Sequence, residues 1–178
     1  MASDKVSNLF FDINAEQKRL VEPIIEVVDS VKAEEYLVKL KPYVIPFKQV
    51  TEQTVKKLFP KAKKLRLPSL DEIDPKELTY LGWNDKGTNK KYIIALCQNH
   101  FIGLHGTFTL ASKKGFCTLC NSHGEVGLFM SETKGVAQGT FIRRGNYICQ
   151  DSQKCNENLI SLEKLENFIE VLKAKSNL

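Results

Sequence analysis

The 178-residue sequence has no apolar run long enough to cross a membrane and nothing that reads as the core of an export signal. In the first twenty residues the longest apolar cluster is Leu9-Phe10-Phe11, set among Asp4, Lys5, Asp12, Glu16, Lys18 and Arg19. An unexported chain sits in a reducing compartment, where paired cysteines more often hold metal than form disulfides. The expectation is a cytoplasmic protein with no membrane role. The usual marks of catalysis are also missing. There is no phosphate-cradling glycine loop, no nucleophile elbow and no carboxylate pair. Cys97 and His105 are a nominal nucleophile and base with nothing to bring them together. The expectation is that the chain is not an enzyme and takes no small-molecule substrate. Internal repeats and low-complexity tracts are absent too.

What is present is ordinary globular composition, 42% apolar and 26% charged. A chain of this length buries roughly 70% of its unfolded surface without covalent staples. The formal charge of +5 conceals a division. Residues 1–36 hold 4 basic and 8 acidic side chains, residues 37–110 hold 13 and 6, and residues 111–178 hold 9 and 7. The excess lies in the middle, where Lys56, Lys57, Lys61, Lys63, Lys64 and Arg66 form a run without an acid. Such a run is either the solvated side of a helix or a patch for RNA phosphate or an acidic protein. Phe59 is the one aromatic within it, so base stacking is not supported.

The first part reads helical. Asn14-Ala15-Glu16-Gln17 has the form of a capping box, and Leu20, Ile24, Val27, Val28 and Val31 follow at helical spacing, with a kink expected at Pro23. Further helices are expected over Ala33–Leu40 and Thr51–Phe59, the latter stopped by Pro60. Lys64–Leu67 alternates like a short strand. The segments from Asp71 to Pro75 and from Gly82 to Asn89 read as loops. From Lys91 the pattern becomes β: Tyr92–Cys97 and Phe101–Leu110 flank a hairpin signal at Gln98-Asn99-His100, with further strands at Val126–Met130, Thr140–Arg143 and Tyr147–Cys149. Leu159, Leu162, Leu165, Phe168, Ile169 and Leu172 form the stripe of a closing helix, with Ser161 as its cap.

The five cysteines, Cys97, Cys117, Cys120, Cys149 and Cys155, are the most pointed feature. Cys117 and Cys120 are spaced C-x2-C, Cys149 and Cys155 C-x5-C, with 28 residues between the pairs. Zinc takes four thiolates in a tetrahedron, and a C-x2-C turn supplies two from one knuckle. A knuckle, a hairpin, then ligands near a helix start is the treble-clef order. Four sulfurs close the site to water, so one structural zinc is expected. Cys97 lies mid-strand as a small core residue, and His100, His105 and His123 are scattered. Beside the metal pair, Arg143-Arg144-Gly145-Asn146-Tyr147 and Phe116 join basic and aromatic side chains. They either pack around the metal or form an interface surface.

Gly115-Phe116-Cys117-Thr118-Leu119-Cys120-Asn121, Leu128-Phe129-Met130, Gly145-Asn146-Tyr147-Ile148-Cys149-Gln150-Asp151-Ser152 and Cys155-Asn156 closely resemble the FusB-type elongation factor G-binding proteins. Tyr43–Phe47, Val55–Phe59, Gly82-Trp83-Asn84 and Asn89–Ile94 fit the same pattern, from about Leu40 to the C-terminus. Relatives often carry the label fibronectin-binding protein, which the missing export core does not favour here. The resemblance implies a helical N-terminal bundle, represented here by about two helices, and a C-terminal domain with a four-cysteine zinc module. It implies binding of elongation factor G, its release from the ribosome, and protection against fusidic acid, which traps that factor after translocation. It places zinc ligands at Cys117, Cys120, Cys149 and Cys155, and factor contacts at Phe116, Arg144, Tyr147 and Phe168, with Arg144 where the family has lysine.

The sequence therefore predicts an α+β protein. A short N-terminal helical region covers residues 1–45. An elongation-factor-binding α/β domain covers 46–178 and ends in a treble-clef-like four-cysteine zinc module at 111–178. The partner is elongation factor G and, through it, the ribosome, with a possible rRNA contact. The alternative is an RNA-binding zinc protein that uses the basic 56–66 segment.

Overall fold

Short helices build the first of two compact units, Met1–Ile45. The computed structural model describes the chain apart from residues 1, 10–11, 63–64, 66, 70–72, 86, 136 and 175–178. Helix α1 spans Ala2–Ser7, α2 Ala15–Val21 and α3 Ser30–Leu40. The capping box forms as its residue types require: Asn14 Oδ1 accepts from the Gln17 amide at 2.8 Å, and Gln17 Oε1 accepts from the Asn14 amide at 3.0 Å. The single apolar face from Leu20 to Val31 does not form. Pro23 sits in a tighter 3-10 turn over Glu22–Glu26, and Asp29 starts a new helix by accepting from the Lys32 amide at 2.8 Å. Helix α3 thus begins before Ala33. Tyr36 Oη donates to the Val21 carbonyl at 3.2 Å and joins α3 to α2. Among the described residues of this unit, Val21 and Tyr36 are the buried apolar side chains, while Val28, Val31 and Val38 are exposed.

The second unit, Pro46–Leu178, carries the sheet. Helix α4 (Glu52–Leu58) is capped by Thr51 and stops two residues before Pro60. Among the described residues, seven strands follow: β1 (Tyr80–Asp85), β2 (Lys90–Cys97), β3 (His100–Leu110), β4 (Gly115–Phe116), β5 (His123–Gly124), β6 (Val126–Lys134) and β7 (Phe141–Cys149). Helices α5 (Ser152–Glu157) and α6 (Leu162–Lys173) close the chain. The main sheet is an antiparallel meander ordered β1-β2-β3-β6-β7, and β4 and β5 form a small hairpin inserted before β6. The β2–β3 turn is the pair Gln98 and Asn99, with φ of 47° and 64°, the left-handed geometry that a two-residue hairpin needs. This is the expected α+β architecture.

Strand β2 is buried on both faces, so its apolar run is continuous rather than alternating. Tyr92 and Ile94 join Val55 of α4 and Phe59 just after it, with Leu81 and Trp83, on one face. Ile93 and Ala95 join Phe129, Ile148 and the α6 stripe Leu165, Phe168, Ile169 and Leu172 on the other, together with Cys117, Cys120 and Cys155.

Three expectations are corrected. The segment from Gly82 to Asn89 is a turn only at its end, Gly87–Asn89; Tyr80–Asp85 is strand β1, paired with Ala95–Lys90. Gly82 is required there because a Cβ would stand 2.5 Å from Ser152 Oγ. The two short strands at Thr140–Arg143 and Tyr147–Cys149 are one strand, β7, running through Gly145 and Asn146. A Cβ at Gly145 would collide with the Phe129 carbonyl of β6, so this glycine marks close backbone approach and not a turn. The segment after Cys149 holds a separate helix, α5, before Ser161 caps α6 by accepting from the Glu163 amide at 3.2 Å. The Lys64–Leu67 strand falls largely outside the described residues, and Leu65 and Leu67 are not in a strand. Among the described residues no helix is long and apolar enough to cross a membrane.

Candidate metal centre and its surroundings

Cys117 follows β4 directly, and the chain then turns back on itself. The Asn121 amide donates to the Cys117 carbonyl at 2.8 Å, and the Cys117 amide to the Ser122 carbonyl at 3.0 Å. Asn121 adopts a φ of 60° to close this knuckle, a conformation that asparagine tolerates better than most residues. Cys120 is thereby returned beside Cys117. Cys149 ends β7, and Cys155 lies within α5, a short helix between that strand and the closing helix α6. Asp151 caps α5 by accepting from the Gln153 amide at 2.8 Å and the Lys154 amide at 3.2 Å.

The four sulfurs converge within 4.8 Å of one another. Cys117 Sγ and Cys155 Sγ are 3.7 Å apart, and Cys120 Sγ and Cys149 Sγ 3.6 Å. A tetrahedron with Zn–S of about 2.3 Å has edges of about 3.8 Å, so the cluster has the size of a zinc tetrathiolate. The Cys149 amide donates to Cys117 Sγ at 3.3 Å, a backbone bond of the kind that favours thiolate. Close packing makes the thiols unequal: hydrogen bonds from Cys149 and Cys155 hold the Cys117 thiol far below the ordinary range, and Cys149 and Cys155, as donors, are pushed up. A divalent cation removes that inequality by favouring all four as thiolates. Cys117, Cys120, Cys149 and Cys155 hold one structural zinc. Cys97 stands outside the cluster against the apolar core, and burial pushes its thiol up.

Of the residues named as partner contacts, Phe116 is 67% exposed and Tyr147 46%. Both sit on the knuckle's supports. Phe116 stacks edge-on against His123 across the β4–β5 hairpin, ring centres 5.1 Å apart, and the Tyr147 carbonyl accepts from the Thr118 amide at 2.9 Å. Arg144 Nη1 donates to the Ala174 carbonyl at 2.8 Å, past the end of α6. Phe168 is different. It is buried, 5.9 Å from the Phe129 ring, and floors a shallow groove of about 270 Å³ shared with Thr118, Asn146 and Val171. In the basic run, Lys56, Lys57 and Lys61 are exposed, and Lys56 pairs with Glu52 at 3.6 Å. Lys63, Lys64 and Arg66 lie outside the described residues.

Sequence reasoning passed over the polar groups that lock this centre onto the sheet. Asn156 Oδ1 accepts from the amides of Thr79 (2.7 Å) and Tyr80 (3.1 Å), and its Nδ2 donates to the Tyr80 carbonyl (3.0 Å) and the Ser152 carbonyl (2.8 Å). Lys91, on β2, is fully buried. Its Nζ donates to the Gln150 carbonyl at 2.8 Å and to Asn84 Oδ1 at 3.2 Å, and lies 4.9 Å from the Phe108 ring centre. Burial lowers its pKa to about 8, against the opposing pull of Cys155, Cys149, Asp151 and Cys117. A lysine in a β-rich stretch looks like a solvated charge; only the fold shows otherwise.

The model of the family "Elongation factor G-binding protein, N-terminal" matches residues 1–48, and that of the "FBP C-terminal treble-clef zinc-finger" matches residues 54–173. The solved structure of the fusidic acid resistance protein FusC is similar over 96% of this chain and 81% of its own, with 36% identity and a TM-score of 0.85. No curated protein sequence matches significantly.

Proposed function

The chain belongs to the FusB-type family of elongation factor G-binding proteins, and from that premise we propose that it binds elongation factor G without catalysing a reaction. The proposed result is release of the factor from the ribosome and protection against fusidic acid. The observation that carries this reading is the pair of exposed aromatics, Phe116 and Tyr147, mounted on backbone that the cysteine cluster fixes. Large rigid aromatics lose little side-chain entropy on docking, and arginine beside them adds a charged anchor. Arg144 is already oriented by its bond to the Ala174 carbonyl. Zinc supplies a cross-link here and no reactivity, since four thiolates leave no open position.

A binder with no chemistry of its own can shift only an equilibrium. It must hold the released or rearranged factor more tightly than the stalled one. The site of action in this reading is the cytosol, where the thiols stay reduced and the ribosome is reached through the factor. The test is gel filtration of the zinc-loaded chain with elongation factor G; separate elution of two folded proteins would falsify the proposal.

A second reading has its own observation, the exposed Lys56, Lys57 and Lys61 on and just beyond α4. It makes the chain an rRNA or other RNA binder. RNA affinity falling steeply with salt, with no affinity for the factor, would select it.

A further inference from the structure

We propose that Lys91 is the internal counter-ion of the zinc centre: its buried ammonium offsets the charge of the four thiolates and so sets how firmly the metal is retained. A divalent zinc with four thiolates carries two net negative charges. Such a charge under apolar cover is costly unless neighbouring groups compensate it. Cys117 and Cys155 are almost fully buried, Cys120 nearly so. Backbone donation from the Cys149 amide to Cys117 Sγ supplies part of the compensation.

Lys91 supplies a full charge. It reaches across from β2 to the Gln150 carbonyl at 2.8 Å, and Gln150 directly follows the ligand Cys149. Its remaining neighbours are neutral: Asn84 Oδ1 and the face of Phe108. Asp151, which caps α5, is the other anion acting on it. A lysine buried for packing alone is an uneconomical choice, because methionine fills similar space without desolvating an ammonium. Nor is Lys91 needed to satisfy Gln150, whose carbonyl also accepts from Asn84 Nδ2 at 3.0 Å. The charge is what the position retains.

The test compares the full chain with Lys91→Met and Lys91→Arg. Transfer of zinc to a chromophoric chelator is expected to be about tenfold faster in Lys91→Met, the scale of outer-shell effects on metal affinity, and near normal in Lys91→Arg. In the cobalt-substituted proteins, the sulfur-to-metal charge-transfer band should move to longer wavelength in Lys91→Met, because a thiolate that loses a nearby cation is easier to oxidise. Lys91→Arg should restore it. An unshifted band with unchanged zinc transfer overturns the proposal, even if Lys91→Met is less stable, since that pattern is packing alone. Should Lys91→Met fail to fold, Asn84→Asp places a carboxylate on the same ammonium. Faster zinc transfer in that variant supports the proposal, and an unchanged rate overturns it. None of these readouts depends on binding to the elongation factor.

Discussion

The side chain of Asn156 pairs with the backbone of Tyr80 as a neighbouring strand would, accepting from its amide at 3.1 Å and donating to its carbonyl at 3.0 Å across 76 residues of sequence. It therefore covers the start of the outer edge of β1 and ties α5, which carries Cys155, to the main sheet. Asn156→Ala should destabilise the protein by about 2–3 kcal/mol, because buried amide and carbonyl groups lose their partners. Urea denaturation would measure this, and zinc content should remain one per chain. A wild-type midpoint would mean that water replaces the asparagine at no cost.

Loss of zinc should be more severe. Either a strong chelator or Cys117→Ser should lower the melting temperature by at least about 10 °C, since several kcal/mol of metal binding are coupled to folding and each kcal/mol moves a protein of this size by roughly 2–4 °C. Calorimetry with and without zinc checks it. Cys97→Ala should leave zinc stoichiometry unchanged, because Cys97 lies outside the cluster.

Phe116→Ala and Tyr147→Ala should each weaken binding to elongation factor G by about tenfold or more while zinc content and melting temperature stay near wild type. Their exposure, 67% and 46%, is what separates binding from stability here. Titration calorimetry beside a thermal melt gives both numbers. Parallel loss of stability would assign the two rings to packing around the metal.

Phe168→Ala should behave in the opposite way. Its ring is 5% exposed and packs on Phe129, so the substitution should cost about 3–4 kcal/mol of folding stability. Any loss of factor binding should shrink in the milder Phe168→Leu, which refills most of the space. Equal loss of binding in both variants, at near-normal stability, would give the ring a direct contact through the groove it floors.

The sequence made the local signals legible and hid the long-range ones. Asn14 with Gln17, the Gln98-Asn99 turn, the C-x2-C knuckle and the α6 stripe from Leu165 to Leu172 each depend on residues close together in the chain, and each forms, although Leu159 falls outside α6 and Leu162 is exposed. Strand β1 resembles a loop in sequence because Gly82, Asn84 and Asp85 have turn composition. The fold needs Gly82 for a reason 70 residues away, at Ser152. Gly145 misled in the same manner, since its lack of a side chain serves the β6–β7 approach. Lys91 and Asn156 carry no local pattern at all. Their partners Gln150 and Tyr80 are 59 and 76 residues distant, so only the fold brings Lys91 to the metal centre and joins Asn156, beside Cys155, to β1.

The knuckle and α5 supply sulfurs 38 residues apart, and the chain between them runs through β5, β6 and β7. Zinc is thus a clasp on a loop that contains half the closing architecture of the unit. Closing a loop of that length removes roughly 4 kcal/mol of disorder from the unfolded chain, by the entropy argument used for disulfides. A clasp of thiolates does so without oxidation and can be reopened by a competing ligand. The rigidity of the surface that carries Phe116 and Tyr147 is therefore set by the metal supply of the surroundings as much as by the sequence.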